Sequence, residues 1–272
     1  MKKVVLMLGV LVVFAACSDD PAKPKETDSI NYFGTPNGTS WIYSNDSIAL
    51  DGTSHPLNKY DTLKQVKDTT YLGHPAKLME HYFVNPFGGT AGTTHYQMFE
   101  DGSKVYVSQS FLGLFLPDFL VEIFNVLDTI KIADGNAASW NLAEVNADLL
   151  SLPIFANIIP AEVSSITGKF KIGFTRGADT VKNGYNTNSF KMKVVFDGNI
   201  VISAIPGIPL PFETVFSEID FYLSKGNGLI AINAKPMQVK AVAKIPIPIP
   251  GIDDLSYSLM DMPGLKKILK SN

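Results

Sequence analysis

Seven Asn-Gly or Asp-Gly dipeptides punctuate this chain, beginning at positions 37, 51, 101, 134, 183, 197 and 227. Both pairs favour the positive-φ turns whose hand matches the twist of two antiparallel strands. The segments around them alternate apolar and polar residues: 94–99 and 104–108 flank Asp101-Gly102, and 190–196 and 200–202 flank Asp197-Gly198. Residues 170–174 and 218–223 alternate as well. A period of two sends one face of a strand inward and the other to water. The chain therefore reads as all-β: an antiparallel meander forming a curved or partly closed barrel, with one or two short helices. Residues 32–272 are enough for one such domain, and 17 Phe, 10 Tyr and 2 Trp supply material for its core.

Two kinds of segment break the alternation. From Pro117, the residues Phe119, Leu120, Ile123, Phe124 and Leu127 recur at helical spacing, opposite Asp118, Glu122 and Asn125. That pattern predicts an amphipathic helix over 117–127 packed on the sheet. Residues 111–116, 149–160, 200–212 and 245–252 are instead apolar almost throughout. Two of these stretches carry proline at alternate positions, in 205–211 and 245–252. Proline cannot donate to a ladder, so neither stretch suits a central strand. Ile208, Leu210, Ile247 and Ile249 are expected to flank one opening. They are either loops folded over the barrel end or an apolar rim of a ligand cavity.

The N-terminus carries an address. Met1-Lys2-Lys3 precedes a 13-residue apolar run from Val4 to Ala16, short of the roughly 20 residues a membrane span needs. This reads as a signal peptide. The segment Phe14-Ala15-Ala16-Cys17 resembles the lipobox of bacterial lipoproteins, with Phe14 where Leu is usual. The chain's single cysteine stands where lipid attachment needs a thiolate. The resemblance implies a signal peptide over 1–16 and acylation of Cys17 by chains such as palmitate. Two or more such chains anchor a protein stably. Residues 17–31 hold no large apolar side chain before Ile30 and read as a flexible tether. The partner so implied is a membrane, reached through the N-terminal lipid. The start Ser18-Asp19-Asp20 resembles that of surface-exposed Bacteroidota lipoproteins, which points to the outer membrane.

The chemistry in the remaining residues is sparse. A formal charge of −3 provides no footprint for nucleic acid. No Gly-x-Ser-x-Gly elbow or phosphate-binding glycine loop is present, and no cofactor is implied. The chain is expected not to be an enzyme. All four histidines lie between 55 and 95. If a hairpin pairs His81 with His95, both imidazoles share a face near Glu80 and Glu100. A slip of one residue separates them. The spacing carries no metal motif, and strand histidines of this kind are usually half-exposed. Asp followed by Ser or Thr and then an aliphatic residue or Thr occurs six times, at Ser29, Ser47, Thr62, Thr69, Thr129 and Thr180. The pattern resembles the O-glycosylation acceptor of Bacteroidota envelope proteins. It equally suits turns, where Asp and Thr side chains bond the local backbone. Either reading places the six at exposed turns.

Several short motifs together resemble a loose group of Bacteroidota lipoproteins. Gly38-Thr39-Ser40-Trp41-Ile42-Tyr43 resembles their opening strand, and Asp68 to His74 their strand-turn-glycine step. Ile132-Ala133-Asp134 followed by Ser139-Trp140 resembles a mid-chain element, and Gly226 to Ile230 a hairpin near the end. The resemblance implies a partly open barrel similar to periplasmic lipoprotein carriers, which bind acyl chains. It assigns no catalytic residues. Two functions follow as expectations: non-catalytic binding of an apolar or lipid-like ligand, or a structural role with envelope protein partners and no small molecule.

Overall fold

The computed structural model describes residues 31–83, 91–155, 158–159, 161–203, 207–243 and 255–271. Among them are fifteen strands. The first six are β1 (Ser40–Ile48), β2 (Ser54–Tyr71), β3 (His74–Phe83), β4 (Gly92–Asp101), β5 (Lys104–Ser108) and β6 (Thr129–Asp134). The next five are β7 (Ser139–Asp148), β8 (Val163–Arg176), β9 (Thr180–Lys182), β10 (Tyr185–Ile202) and β11 (Leu210–Ser224). The last four are β12 (Gly228–Ala234), β13 (Met237–Ala243), β14 (Leu255–Met262) and β15 (Gly264–Ser271).

One sheet runs in the order β6-β5-β4-β3-β2-β1-β15-β12-β11-β10-β8-β7, with β9 paired to β10, and it curls into a nearly closed barrel. Every pairing is antiparallel. The first and last strands, β1 and β15, are neighbours inside the sheet. β13 and β14 form a separate two-stranded ribbon. The expected architecture is therefore the observed one.

The alternation explains the strands. Trp41, Tyr43 and Asn45 point inward from β1, and Phe190, Met192, Val194, Phe196, Ile200 and Ile202 point inward from β10. Asp197-Gly198, read in the sequence as a turn, lies instead inside the 18-residue β10. Gly198 is registered opposite Gly168 on β8, and the Phe196 ring covers both. A Cβ on Gly198 would stand 2.5 Å from the Thr167 carbonyl oxygen. The glycine here permits close approach of two backbones rather than a change of direction. Conversely, Leu72-Gly73 makes the β2–β3 turn with φ of 49° and 82°, a left-handed pair that a leucine does not advertise.

The two edges, β6 and β7, meet at a seam. Trp140 Nε1 donates to the Lys131 carbonyl at 2.8 Å, and the Lys131 ammonium lies 5.0 Å from the centre of the Trp140 ring. Arg176 closes the same end by donating to the Gly135 carbonyl. Among the described residues no ladder pairs the two edges along their length. The upper seam is covered by a 3-10 helix (Gln109–Leu114), the helix α1 (Asp118–Ile123) and a second 3-10 turn (Leu149–Ser151). Helix α1 is shorter than the expected 117–127. Pro117 caps it in extended conformation, and the chain leaves the helix at Phe124. Burying Leu120 and Phe124 takes under two turns, and β6 must then begin at Thr129 to meet Ser108.

The barrel has no lumen among the described residues. Rings of Tyr96, Phe111, Phe115, Phe221, Phe174 and Trp140 touch in succession, with centroids 5.1–6.2 Å apart. A second run joins Phe119, Phe155, Phe216, Phe170, Phe196 and Phe212. Most of these pairs are edge-to-face and the Trp140–Phe174–Phe221 contacts are stacked; such aromatic pairs add about 0.5–1.5 kcal/mol each to burial alone. The apolar stretch 111–116 is thus a plug within the core, with Phe111, Leu112, Leu114, Phe115 and Leu116 all buried.

Candidate functional site

Beside the plug lies a recess lined largely by apolar side chains. A groove of about 790 Å³ runs between α1 and the turn at 149–154, over the upper seam. Leu116, Phe119, Ile123, Leu152 and Ile154 line it, with Pro117 and Pro153. Asp118 and Glu122 stand on its rim, and among the described residues no Lys or Arg lines it. Phe119 forms the floor by packing edge-on against Phe155 and Phe216. Helix α1 positions these groups because its apolar face is pinned by Leu120 below while Ile123 and Glu122 remain above.

Of the four residues expected at an apolar rim, Ile208 is 49% exposed between β10 and β11. Leu210 is buried where β11 begins, opposite Ile200. Ile247 and Ile249 lie outside the described residues, as do the signal peptide, Cys17, the tether as far as residue 30, and Ser29. The expectation that the Asp-Ser/Thr sites occupy exposed turns is corrected. Ser47, Thr62 and Thr69 stand within β1 and β2, while Thr129 and Thr180 open β6 and β9. Thr62 is paired on both sides, to Ile42 and Tyr82. The motif starts or joins ladders because threonine and the mostly β-branched third residue favour extended backbone.

The histidine register falls on the separating alternative. Glu80 pairs with His95 and His81 with Thr94. His95 Nε2 therefore lies 3.2 Å from Glu80 Oε2 on the outer face, while His81 points inward. Among the described residues no group of three or more His, Cys, Asp or Glu could hold a metal ion. His81 is also not half-exposed: it is 2% exposed, in a polar cluster inside the barrel.

That cluster was not read from the sequence. Asp61 on β2 is fully buried, and Lys267 on β15 is 1% exposed. The Lys267 ammonium donates to Asp61 Oδ2. Asn45 Nδ2 donates to Asp61 Oδ1 at 2.6 Å, and His81 Nε2 lies 3.3 Å from Oδ2. Burial alone raises the Asp61 carboxyl, but His81 and Lys267 outweigh it and hold the group at about 2. Burial pushes His81 below its ordinary value against the pull of Asp61. Burial likewise lowers Lys267. The signal was present in the parity of three strands. Trp41, Tyr43 and Asn45 share an inward face, as do Asp61, Leu63 and Gln65, and Leu265, Lys267 and Leu269.

No protein-family model matches the chain, and no curated protein matches it. Among solved structures it is similar to a provisionally assigned lipoprotein of Parabacteroides distasonis. The identity is 10% and the TM-score 0.44, over 90% of this chain and 99% of that one. It is also similar to a provisionally assigned exported protein of Bacteroides fragilis with a YmcC-like fold. There the identity is 8% and the TM-score 0.38, over 87% of this chain and 95% of that one. Both come from Bacteroidota.

Proposed function

We propose that this chain is a non-catalytic outer-membrane lipoprotein, anchored through Cys17, that binds an apolar ligand in the seam groove. The observation that carries the reading is the groove itself. Aromatic side chains pack through the described barrel interior, whereas Leu116, Phe119, Ile123 and Ile154 line a recess of about 790 Å³ among the described residues. That size and lining match small-molecule sites, commonly about 300–1,000 Å³ and mostly apolar. The rim holds Asp118 and Glu122 and no cation. It therefore favours an apolar chain or ring with a neutral or cationic head over a fatty-acid carboxylate.

The test is titration of the purified protein with the neutral dye N-phenyl-1-naphthylamine. Saturable fluorescence enhancement is expected. Ile154 lines the groove yet is 39% exposed, so Ile154→Asp should weaken dye binding about tenfold or more, a cost of roughly 1.4 kcal/mol, with little change in melting temperature. No saturable uptake by the wild type, or equal uptake by the variant, refutes a ligand role and leaves the structural alternative.

A further inference from the structure

We infer that Lys267 and Asn45 become joined by an intramolecular amide bond, formed inside the folded barrel with Asp61 as the proton carrier. The two residues are direct register partners on adjacent strands, β15 and β1. Both side chains point into the core, 1% and 2% exposed. Inward-facing partners on neighbouring antiparallel strands have Cβ atoms about 4.5–5.5 Å apart, within reach of a lysine amine and an asparagine carboxamide.

Asp61 touches both reactants at once. Its Oδ2 accepts from the Lys267 ammonium, and its Oδ1 accepts from Asn45 Nδ2 at 2.6 Å. Asn45 Nδ2 also donates to the Lys59 carbonyl at 3.4 Å, which fixes the carboxamide plane, while Asn45 Oδ1 meets no donor among the described residues. Burial of all three side chains removes the solvation that normally keeps a lysine amine protonated. Burial lowers Lys267 in agreement with that geometry. Holding nucleophile, electrophile and base in one place converts an unfavourable encounter into a unimolecular step.

The step balances without an external reagent. Asp61 takes a proton from the Lys267 ammonium, and the freed amine attacks Asn45 Cγ to form a carbon–nitrogen bond. Asp61 returns that proton to the departing Asn45 nitrogen. The new amide nitrogen gives up a second proton, the old carbon–nitrogen bond breaks, and the leaving group departs as ammonium. One carbon–nitrogen bond forms and one breaks, and nothing is oxidised or reduced. The product is a covalent link between the first and last strands of the domain.

The experiment is mass spectrometry of the full chain and of Lys267→Arg, purified side by side from one host so that lipid and other attached groups cancel. After correction for the substitution, the wild type is expected to be lighter by about 17 Da, the mass of ammonia. Digestion of the wild type should yield a branched peptide joining the segments around Asn45 and Lys267. This second measurement needs no variant and stands if Lys267→Arg fails to fold. Intact masses that differ by the substitution alone, with linear peptides only, overturn the inference. A loss of about 18 Da with the branch at Asp61 overturns the assignment of Asn45.

Discussion

Phe115 decides whether the segment over the seam is a fixed plug or a movable lid. Its ring is buried and meets Phe111 at 5.1 Å and Phe221 at 5.2 Å, both edge-to-face. Phe115→Ala removes a whole ring from packed surroundings and leaves a cavity. Substitutions of this kind cost about 3–5 kcal/mol when the site cannot collapse, and two aromatic contacts place this one toward the upper end. A domain of this size shifts its melting temperature by roughly 2–4 °C per kcal/mol, so a fall of about 10 °C is expected. Urea unfolding followed by fluorescence of Trp41 and Trp140 should show an earlier midpoint with an unchanged slope. Trp41 is fully buried and Trp140 is half-buried against the core at the seam, so together they report on global unfolding. A loss below about 1 kcal/mol, accompanied by stronger dye uptake, would refute the plug. In that case the 3-10 helix and α1 open readily and the apolar site is larger than the groove.

Four further outcomes follow from the same structure. His81 is held neutral by burial while an unfolded histidine titrates near 6.5, so the unfolded chain binds more protons below that pH. Stability relative to His81→Gln should be constant above about pH 6.5 and fall below it, by up to about 1.4 kcal/mol per pH unit, in urea titrations run from pH 8 to 5. Gly198→Ala places a Cβ against the Thr167 carbonyl and the Phe196 ring and should cost about 1–3 kcal/mol by the same assay; a neutral result would show that β8 and β10 separate easily. Cys17→Ala should give an unacylated chain that leaves the detergent phase on phase separation, and retention there would remove the lipobox reading. Thr180 is exposed at the start of β9, so expression in a Bacteroidota host should add mass that Thr180→Ala reduces, whereas equal masses from that host and one lacking the glycosylation system leave only the strand-forming role.

The all-β fold was legible because strand alternation and Asn-Gly turns are local signals, each written in a few consecutive residues. Asp197-Gly198 misled for a related reason. Whether a glycine bends a strand or admits a neighbour depends on Gly168, about thirty positions away and visible only through the ladder. The periodicity marks the helix but not its end, which is set by where β6 must join β5. The rings of Phe111 and Phe115 were recognised as apolar, but their place within the barrel depends on the shortness of β5 and β6, which leaves room for them. The polar cluster was least legible. Asp61, His81 and Lys267 each look like ordinary surface residues, and only the register of β1, β2, β3 and β15 shows that they face one another.

The pairing of β1 with β15 also imposes an order in time. β15 fills the place between β1 and β12, and it leaves the ribosome after the other fourteen described strands. Until they arrive, β1 and β12 each present a row of unsatisfied amides, and the sheet exists as two unjoined halves. Closure then requires contact between the most distant parts of the sequence, the kind of step that makes folding slow and leaves raw edges open to other chains. A chain cut short before Gly264 lacks this keystone strand altogether. It would expose two sticky borders, at β1 and β12, that β15 otherwise covers, and early termination should therefore yield aggregates rather than a smaller barrel.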